Sequence, residues 1–553
     1  MEINTQETTQ FNLLDEPWIK VRNKLGQTET VSITEVFRRA HELECLEGDL
    51  PTQDVAILRL LLAFLYAVFI RVDSEGNPSH LKELNESNQE AAALQRWKAL
   101  WDMPTLPMDV ISAYLEFYRE RFWLVHPVNP FYQVAGLQPM KGNAKDTSQM
   151  IADVPSRIEK RFFSLRFGLG ATELTLSEAA RWLVTLQAWD YAGKKAVVTD
   201  SNGNRGSENG GGTGWLGKLG VLHLRGTDLR KTLLLNLALY DIGNSRIPDG
   251  DPIWEEAPRT ALKVDRPPAG YVELLTQQTR RVFLTVVNNK AVGVTISYGD
   301  VFEKDNLFIE LMSAWHESSQ SGSIPSYIPT THKSGRSLWR DLSSLLPQAG
   351  GNDNFKIAGI LEWASVLKRN RLVDMVYFNV AAIGIEYGSM QGVVNNIIAD
   401  ELSINAGFFV ELAKPWVTRI ISALDKSDKC INRFGWMAQQ FAQASGSSEG
   451  IVEKALAQES AYYVFDSLFR NWLASLSPET DDLEARMIEW QDTVYREILR
   501  LGQDMYESLS SQAIIGRFDQ EKSKTIAAPV VYMQFKSGLN KILKDWKEEF
   551  IDE

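Results

Sequence analysis

After about residue 395, this 553-residue chain spaces its apolar residues by threes and fours over long runs. Leu483, Met487, Trp490, Val494, Ile498, Leu501 and Met505 make one stripe. Val531, Phe535, Leu539, Ile542 and Trp546 make a second, and Val464, Leu468, Trp472 and Leu476 a third. This spacing gathers apolar side chains on one side of an α-helix. Each such helix must bury its stripe against another, and short polar links between stripes make neighbours antiparallel. The expectation is an entirely helical domain over 396–553, built as an antiparallel four-helix bundle.

Residues 1–395 read differently. An apolar strand at 11–14, a turn at Pro17 and a second strand at 18–21 open the chain. Helical periodicity follows at about 34–46, 52–71, 88–101 and 107–122, and again at 176–192. Short β-rich runs lie at 221–224, 282–287 and 292–297. The expected fold class is therefore α+β, a large mixed N-terminal domain followed by the bundle.

Composition narrows the function. Charged residues make up 23% and hydrophobic ones 44%, so disorder is not the dominant state. The formal charge is −13, which argues against a free-standing, nonspecific polyanion binder. Cys45 and Cys430 are the only cysteines, too few for a disulfide framework or a Cys-based zinc site. That usage fits a reducing cytoplasm. The opening residues do not resemble a signal peptide. The apolar run at 55–70 is interrupted by Arg59 and is shorter than the roughly 20 residues of a spanning helix, so a buried core helix is expected.

Few motifs carry chemistry. Residues 201–217 hold seven glycines in 17 positions and must form a loop. Within it, 212–218 matches most of a phosphate-binding loop, but Leu219 stands where Ser or Thr would hold magnesium. A loop whose bare backbone approaches a ligand is the other reading. Gly446-Ser447-Ser448-Glu449-Gly450 copies a nucleophile elbow but lies between helices. The six histidines show no metalloprotease spacing. One stretch departs from the overall acidity: 157–231 has 12 Lys/Arg against 7 Asp/Glu, a local balance of +5. Inside it Arg157, Lys160, Arg161 and Arg166 alternate with Phe162, Phe163 and Phe167. Such a mixture can neutralise phosphates and stack on bases, or simply be a strand with a solvated face.

The opening FNLLDEPWIKV, then His126-Pro127-Val128-Asn129-Pro130-Phe131, the glycine loop, and Leu224-Arg225-Gly226-Thr227-Asp228-Leu229-Arg230 occur in this order before the bundle. The series resembles the CasA family, the large subunit of the type I-E CRISPR surveillance complex Cascade, over nearly the whole chain. The resemblance implies a noncatalytic, cytoplasmic, cofactor-free subunit. Guide RNA reads the target by base pairing. The subunit reads the short flanking motif, the PAM, on double-stranded DNA and helps to open the duplex. Implied partners are the other Cascade subunits, guide RNA, target DNA and a helicase–nuclease, with no membrane.

Carried over by position, Gly210, Gly211 and Gly212 match the family's glycine loop at the PAM. Residues 385–391 match its wedge, with Gln391 at the wedge glutamine and Met390 where some relatives have Asn. The lysine finger should sit on a hairpin near 298–309, at Asn306 by strict position or at Lys304, the nearest lysine. Arg157, Lys160, Arg161, Phe163 and Arg166 match the segment that meets the guide-RNA 5′ end and neighbouring subunits. The Cys cluster of some relatives is missing, so no metal is expected. The rival readings are a nucleotide-dependent enzyme using the 212–218 loop and a pure assembly scaffold.

Overall fold

In the computed structural model, which describes residues 10–152, 166, 168–319, 325–347, 355–447, 449–519 and 524–548, the chain divides into two units. The first takes Met1–Ser334, Asn352–Leu372 and Asn379–Glu401. The second takes Gly335–Gly351, Val373–Phe378 and Leu402–Glu553.

The first unit begins with β1 (Ile19–Asn23), β2 (Thr28–Val31), α1 (Ile33–Arg39) and β3 (Leu43–Leu46), the strands ordered β2-β1-β3. Two sequence expectations change here. Residues 11–14 are not a regular strand: Asn12 makes a single antiparallel bridge with Trp123 and the chain then turns, the Asn12 side chain accepting from Leu14 N (3.0 Å), with Leu13 and Leu14 buried. The expected helix at 34–46 stops at Arg39, because Leu43–Leu46 pairs with β1, Val21 facing Leu46 and Arg22 facing Cys45. Tertiary pairing overrides local propensity there.

Then come α2 (Pro51–Phe69), α3 (Glu86–Asp102), α4 (Met108–Phe117) and α5 (Leu176–Trp189). Pro51 starts α2 where a missing N–H costs nothing. Nearly every residue of α2 is buried. With 19 residues it is longer than its apolar run and passes a membrane span's test of length and composition, yet 94% of that stretch is buried inside the protein. Arg59, in its middle, is buried against Glu310 at 2.8 Å. Glu310 also accepts from Trp215 Nε1 at 2.7 Å, so the buried charge is paired and hydrogen-bonded.

β4 (Val221–Arg225), α6 (Leu229–Leu235), β5 (Arg280–Val287), β6 (Lys290–Tyr298), β7 (Trp315–Glu317), β8 (Tyr327–Pro329) and α7 (Gly359–Arg369) follow, then β9 (Tyr377–Tyr387) and β10 (Val394–Asn405). β5 and β6 form a long antiparallel hairpin turned by Asn288 and Asn289, both left-handed. β9 pairs with β4 on one side and β10 on the other. β10 carries strand past residue 395, where helix was expected, out to Asn405.

The second unit contains the four helices α8 (Lys414–Ala444), α9 (Ile451–Ser475), α10 (Leu483–Glu507) and α11 (Ala528–Glu548). α8 packs against each of the other three. Trp490 is the hub: it stacks on Trp472 (5.0 Å) and meets Phe469 (5.2 Å) and Phe465 (6.1 Å) edge-on. The buried stripe of α9 is thus Ala461, Phe465, Phe469 and Trp472, with Val464 and Leu468 only half-buried. The larger aromatic rings took the core side. A two-stranded ribbon, Arg517–Asp519 with Lys524–Ile526, interrupts the helices before α11.

Candidate nucleic-acid interface

The site is organised by the turn that ends α5. This helix starts at a capping box, Thr175 with Glu178. It is held from both ends: Arg181 Nη1 donates to Trp18 O (2.8 Å), and Trp189 Nε1 donates to Thr52 O (2.9 Å). At Asp190 the backbone leaves the helix. The Asp190 carboxylate is buried and receives Arg280 Nε and Lys195 Nζ, the latter at 2.6 Å. Burial alone would push its carboxyl up, but Lys195 and Arg280 together hold it below the usual range. Burial also lowers Lys195, against the pull of Asp190. The Asp190 carboxylate offsets the desolvation of both bases, while Arg280 adds to the lowering of Lys195.

The glycine loop hangs from this turn. Gly214 N donates to Asp190 O (2.8 Å), and Arg280 Nη2 donates to Gly212 O (2.9 Å). The three expected glycines differ in why they are glycine. At Gly210 a Cβ would run into the Tyr298 ring, and at Gly211 it would come within 2.6 Å of Val301 Cγ1. Both therefore answer to packing inside the protein. Gly212 is different: its φ is +61° and, among the described residues, a Cβ there would meet Gln391 Oε1 at 3.6 Å.

The expected wedge segment is the tip of the β9–β10 hairpin. Gly388 N donates to Val393 O, and Gly392 N donates to Ser389 O (3.2 Å), closing a turn with Met390 and Gln391 at its centre. Both have positive φ, +52° and +54°. Asn and Gly are the usual occupants of such a pair, and each other residue costs roughly 1–2 kcal/mol there. Met390 is 93% exposed. The tip is tied back to the α5 turn: Ala192 N donates to Gln391 O (2.9 Å), and the Tyr387 hydroxyl donates to Trp189 O (2.5 Å). Burial pushes the Tyr387 phenol up, so it remains a donor. Two segments far apart in sequence, the glycine loop and the hairpin tip, are brought side by side.

The lysine-finger expectation is corrected. Residues 299–310 form an extended loop without strands, and the hairpin lies earlier, at β5–β6. Asn306 sits in a left-handed turn with its side chain accepting from Tyr327 N (2.7 Å), so it serves the loop. Lys304 is exposed. Burial, then the charges of Lys304 and Lys333, lowers His316. Burial also brings Lys218 down to about 8, with Arg280 and Lys304 adding to the effect. Lys304 itself stands between Glu303 and Asp305 in the chain.

The 212–218 segment is not a phosphate-binding loop. It leads into a three-residue 3-10 turn, Leu216–Lys218, and then into strand β4, the reverse of the strand–loop–helix order that motif needs. Lys218 Nζ donates to Phe302 O (3.2 Å), and Leu219 is buried. Arg166 is ion-paired with Glu178 (3.2 Å) and Asp49 (3.5 Å). Arg157, Lys160, Arg161 and Phe163 lie outside the described residues. Among the described residues no group of three or more His, Cys, Asp or Glu could hold a metal. Asp190, Lys195, Arg280 and Tyr387 were not singled out from sequence. Nothing in their spacing links them, because the fold alone assembles them.

The family model for the CRISPR-associated protein Cse1 matches residues 12–501. This chain belongs to the Cse1 family. The crystal structure of Cse1 from Thermobifida fusca is 30% identical, with a TM-score of 0.82 over 97% of this chain and 98% of that one. The CasA/Cse1 protein of Thermus thermophilus is 28% identical over 369 residues, 65% of this chain, and the match spans 64% of that relative's length. A chain in a CRISPR RNA-guided surveillance complex shares the fold at 16% identity, with a TM-score of 0.69 over 96% of this chain and 99% of that one.

Proposed function

We propose that this Cse1-family chain is the noncatalytic large subunit of an RNA-guided antiviral complex. In this reading its glycine loop and hairpin tip recognise the PAM on double-stranded DNA and begin to open the duplex. The observation that carries the reading is the meeting of Gly212 and Gln391 at one place. A loop without side chains can enter a minor groove about 6 Å wide and present backbone groups to base edges. An exposed tip bearing Met390 and Gln391 can insert between neighbouring base pairs and unstack them. Lys304 supplies phosphate neutralisation, a role the uncharged amide of Asn306 cannot share.

The fold shared with a chain of a CRISPR RNA-guided surveillance complex supports guide RNA and other Cascade subunits as partners. Contact with the guide through Arg157, Lys160, Arg161, Phe163 and Arg166, and recruitment of a helicase–nuclease, belong to the same proposal. The formal charge of −13 is compatible with it if the other subunits supply most of the phosphate contacts.

The test is Gly212→Asp in the assembled complex. The position is open and left-handed, a conformation Asp tolerates better than most residues, so the fold should hold. Affinity for a PAM-bearing duplex should fall by about 1–3 kcal/mol, the cost of one spoiled contact in a specific site. An unchanged affinity with an unchanged melting temperature would remove the loop from the DNA.

A further inference from the structure

We infer that Asp190, Lys195 and Arg280 act as a positioning hub that fixes the glycine loop and the hairpin tip to each other, so that PAM reading and duplex opening are performed by one rigid piece. The inference rests on the function proposed above for those two segments. Its basis is the use of Arg280. The side chain is 2% exposed and its donors reach four acceptors: Asp190 through Nε, Thr279 O through Nη1 (3.0 Å), and Tyr191 O (3.2 Å) and Gly212 O (2.9 Å) through Nη2. Only a planar guanidinium can hold this set at once, since a lysine offers a single nitrogen.

The hub reaches both functional segments through the same short turn. Asp190 O and Arg280 hold the glycine loop at Gly214 and Gly212. Ala192 N and Trp189 O hold the tip at Gln391 and Tyr387. Lys195 closes the turn on itself, with its Nζ on Asp190 and 4.1 Å from the centre of the Tyr191 ring. Its backbone N–H donates to the Tyr298 hydroxyl at 3.2 Å, and the Tyr298 ring is the one that lies against Gly210. Two consecutive left-handed residues at the tip persist only where the surroundings over-determine them, and these bonds do so. The Arg280 fork ends on Tyr191 O in the α5 turn and Gly212 O in the glycine loop, and the backbone of that same turn holds the tip at Gln391 and Tyr387.

The experiment compares Arg280→Lys, Tyr387→Phe and Gln391→Ala in the assembled complex, on a PAM-bearing duplex and on the same target already opened. Arg280→Lys keeps the charge beside Asp190 and loses the fork. Tyr387→Phe removes only the hydroxyl bond to Trp189 O. Arg280→Lys should lose about tenfold or more on the duplex, the penalty of a misplaced group. Tyr387→Phe should lose about fivefold, the worth of one hydrogen bond. Both should bind the opened target as the parent does. If both bind duplex like the parent while Gln391→Ala does not, the hub is wrong and the proposed function stands. If all three match the parent, the proposed function falls and the hub with it. Equal losses on duplex and opened target would make the cluster merely structural and overturn the inference. Should Arg280→Lys fail to fold, Tyr387→Phe decides alone.

Discussion

The helical bundle and the region around the glycine loop are stabilised by different means. In the bundle, Trp490 is surrounded by Phe465, Phe469 and Trp472, and the contacts are mostly apolar, with one buried hydrogen bond from Trp490 Nε1 to Ser427 Oγ (3.1 Å). Around the glycine loop, Asp190, Lys195 and Arg280 form a buried ionic cluster whose Arg280 holds Gly212 O, and the backbone of the adjoining turn holds the hairpin tip. Apolar packing tolerates exchange of one hydrophobe for another of like volume. A buried ionic cluster does not, because removing one member strands the charge of the rest. The lesson is that precision of placement is concentrated where chemistry is expected, and bulk stability elsewhere.

The sharpest way to break this contrast is Asp190→Ala. It leaves Arg280 and Lys195 buried without a counter-charge and should cost about 3–5 kcal/mol, read as a shift in urea midpoint. A loss below about 1 kcal/mol would mean the cluster is hydrated and the contrast false. Next is Ile498→Ala in the bundle, at a fully buried position. It should cost about 2–5 kcal/mol through lost burial and a cavity. Duplex discrimination by the assembled complex should be untouched, and a change there would join the two regions functionally.

The bundle was legible in the sequence because its periodicity is long, and Met487, Trp490, Val494 and Ile498 are indeed the buried side of α10. The stretch is not entirely helical, since strand runs on to Asn405 and a ribbon pairs Arg517–Asp519 with Lys524–Ile526, and Phe465 and Phe469 displaced Val464 and Leu468 from the core. The mixed unit was legible where elements are local, such as α5 and the β-rich runs at 282–287 and 292–297 that form β5 and β6, although their hairpin was expected later, near 298–309. It was not legible where pairing is distant, as with Leu43–Leu46 joining β1. The site divides the same way. The glycine loop shows itself by composition, and Gln391 only by resemblance. Asp190, Arg280 and Tyr387 carry no local signature, since they meet across long separations in sequence. Even the glycines needed the fold to be understood, because Gly210 and Gly211 are packed against Tyr298 and Val301.

The smallest expected effect sharpens the comparison through pH. Burial holds Lys218 at about 8, against 10.5 for an ordinary lysine. Between these values the unfolded chain keeps a proton that the folded chain has lost, so this residue makes stability rise with pH across the window. Lys218→Met should therefore stabilise the protein at pH 7, by on the order of 1 kcal/mol after allowing for partial exposure. The gain should fade as pH climbs from about 8 towards 10.5. A gain independent of pH would assign the effect to packing.

The role proposed for the hairpin tip is to open DNA beside the glycine loop. The direct measurement is the affinity of the complex carrying Gln391→Ala for a PAM-bearing duplex and for the same target already single-stranded. Loss on the order of tenfold on the duplex, with the single-stranded target bound as before, is the predicted result, since only the duplex requires a base step to be unstacked. Equal affinities of variant and parent on the duplex, or equal losses on both targets, would contradict it.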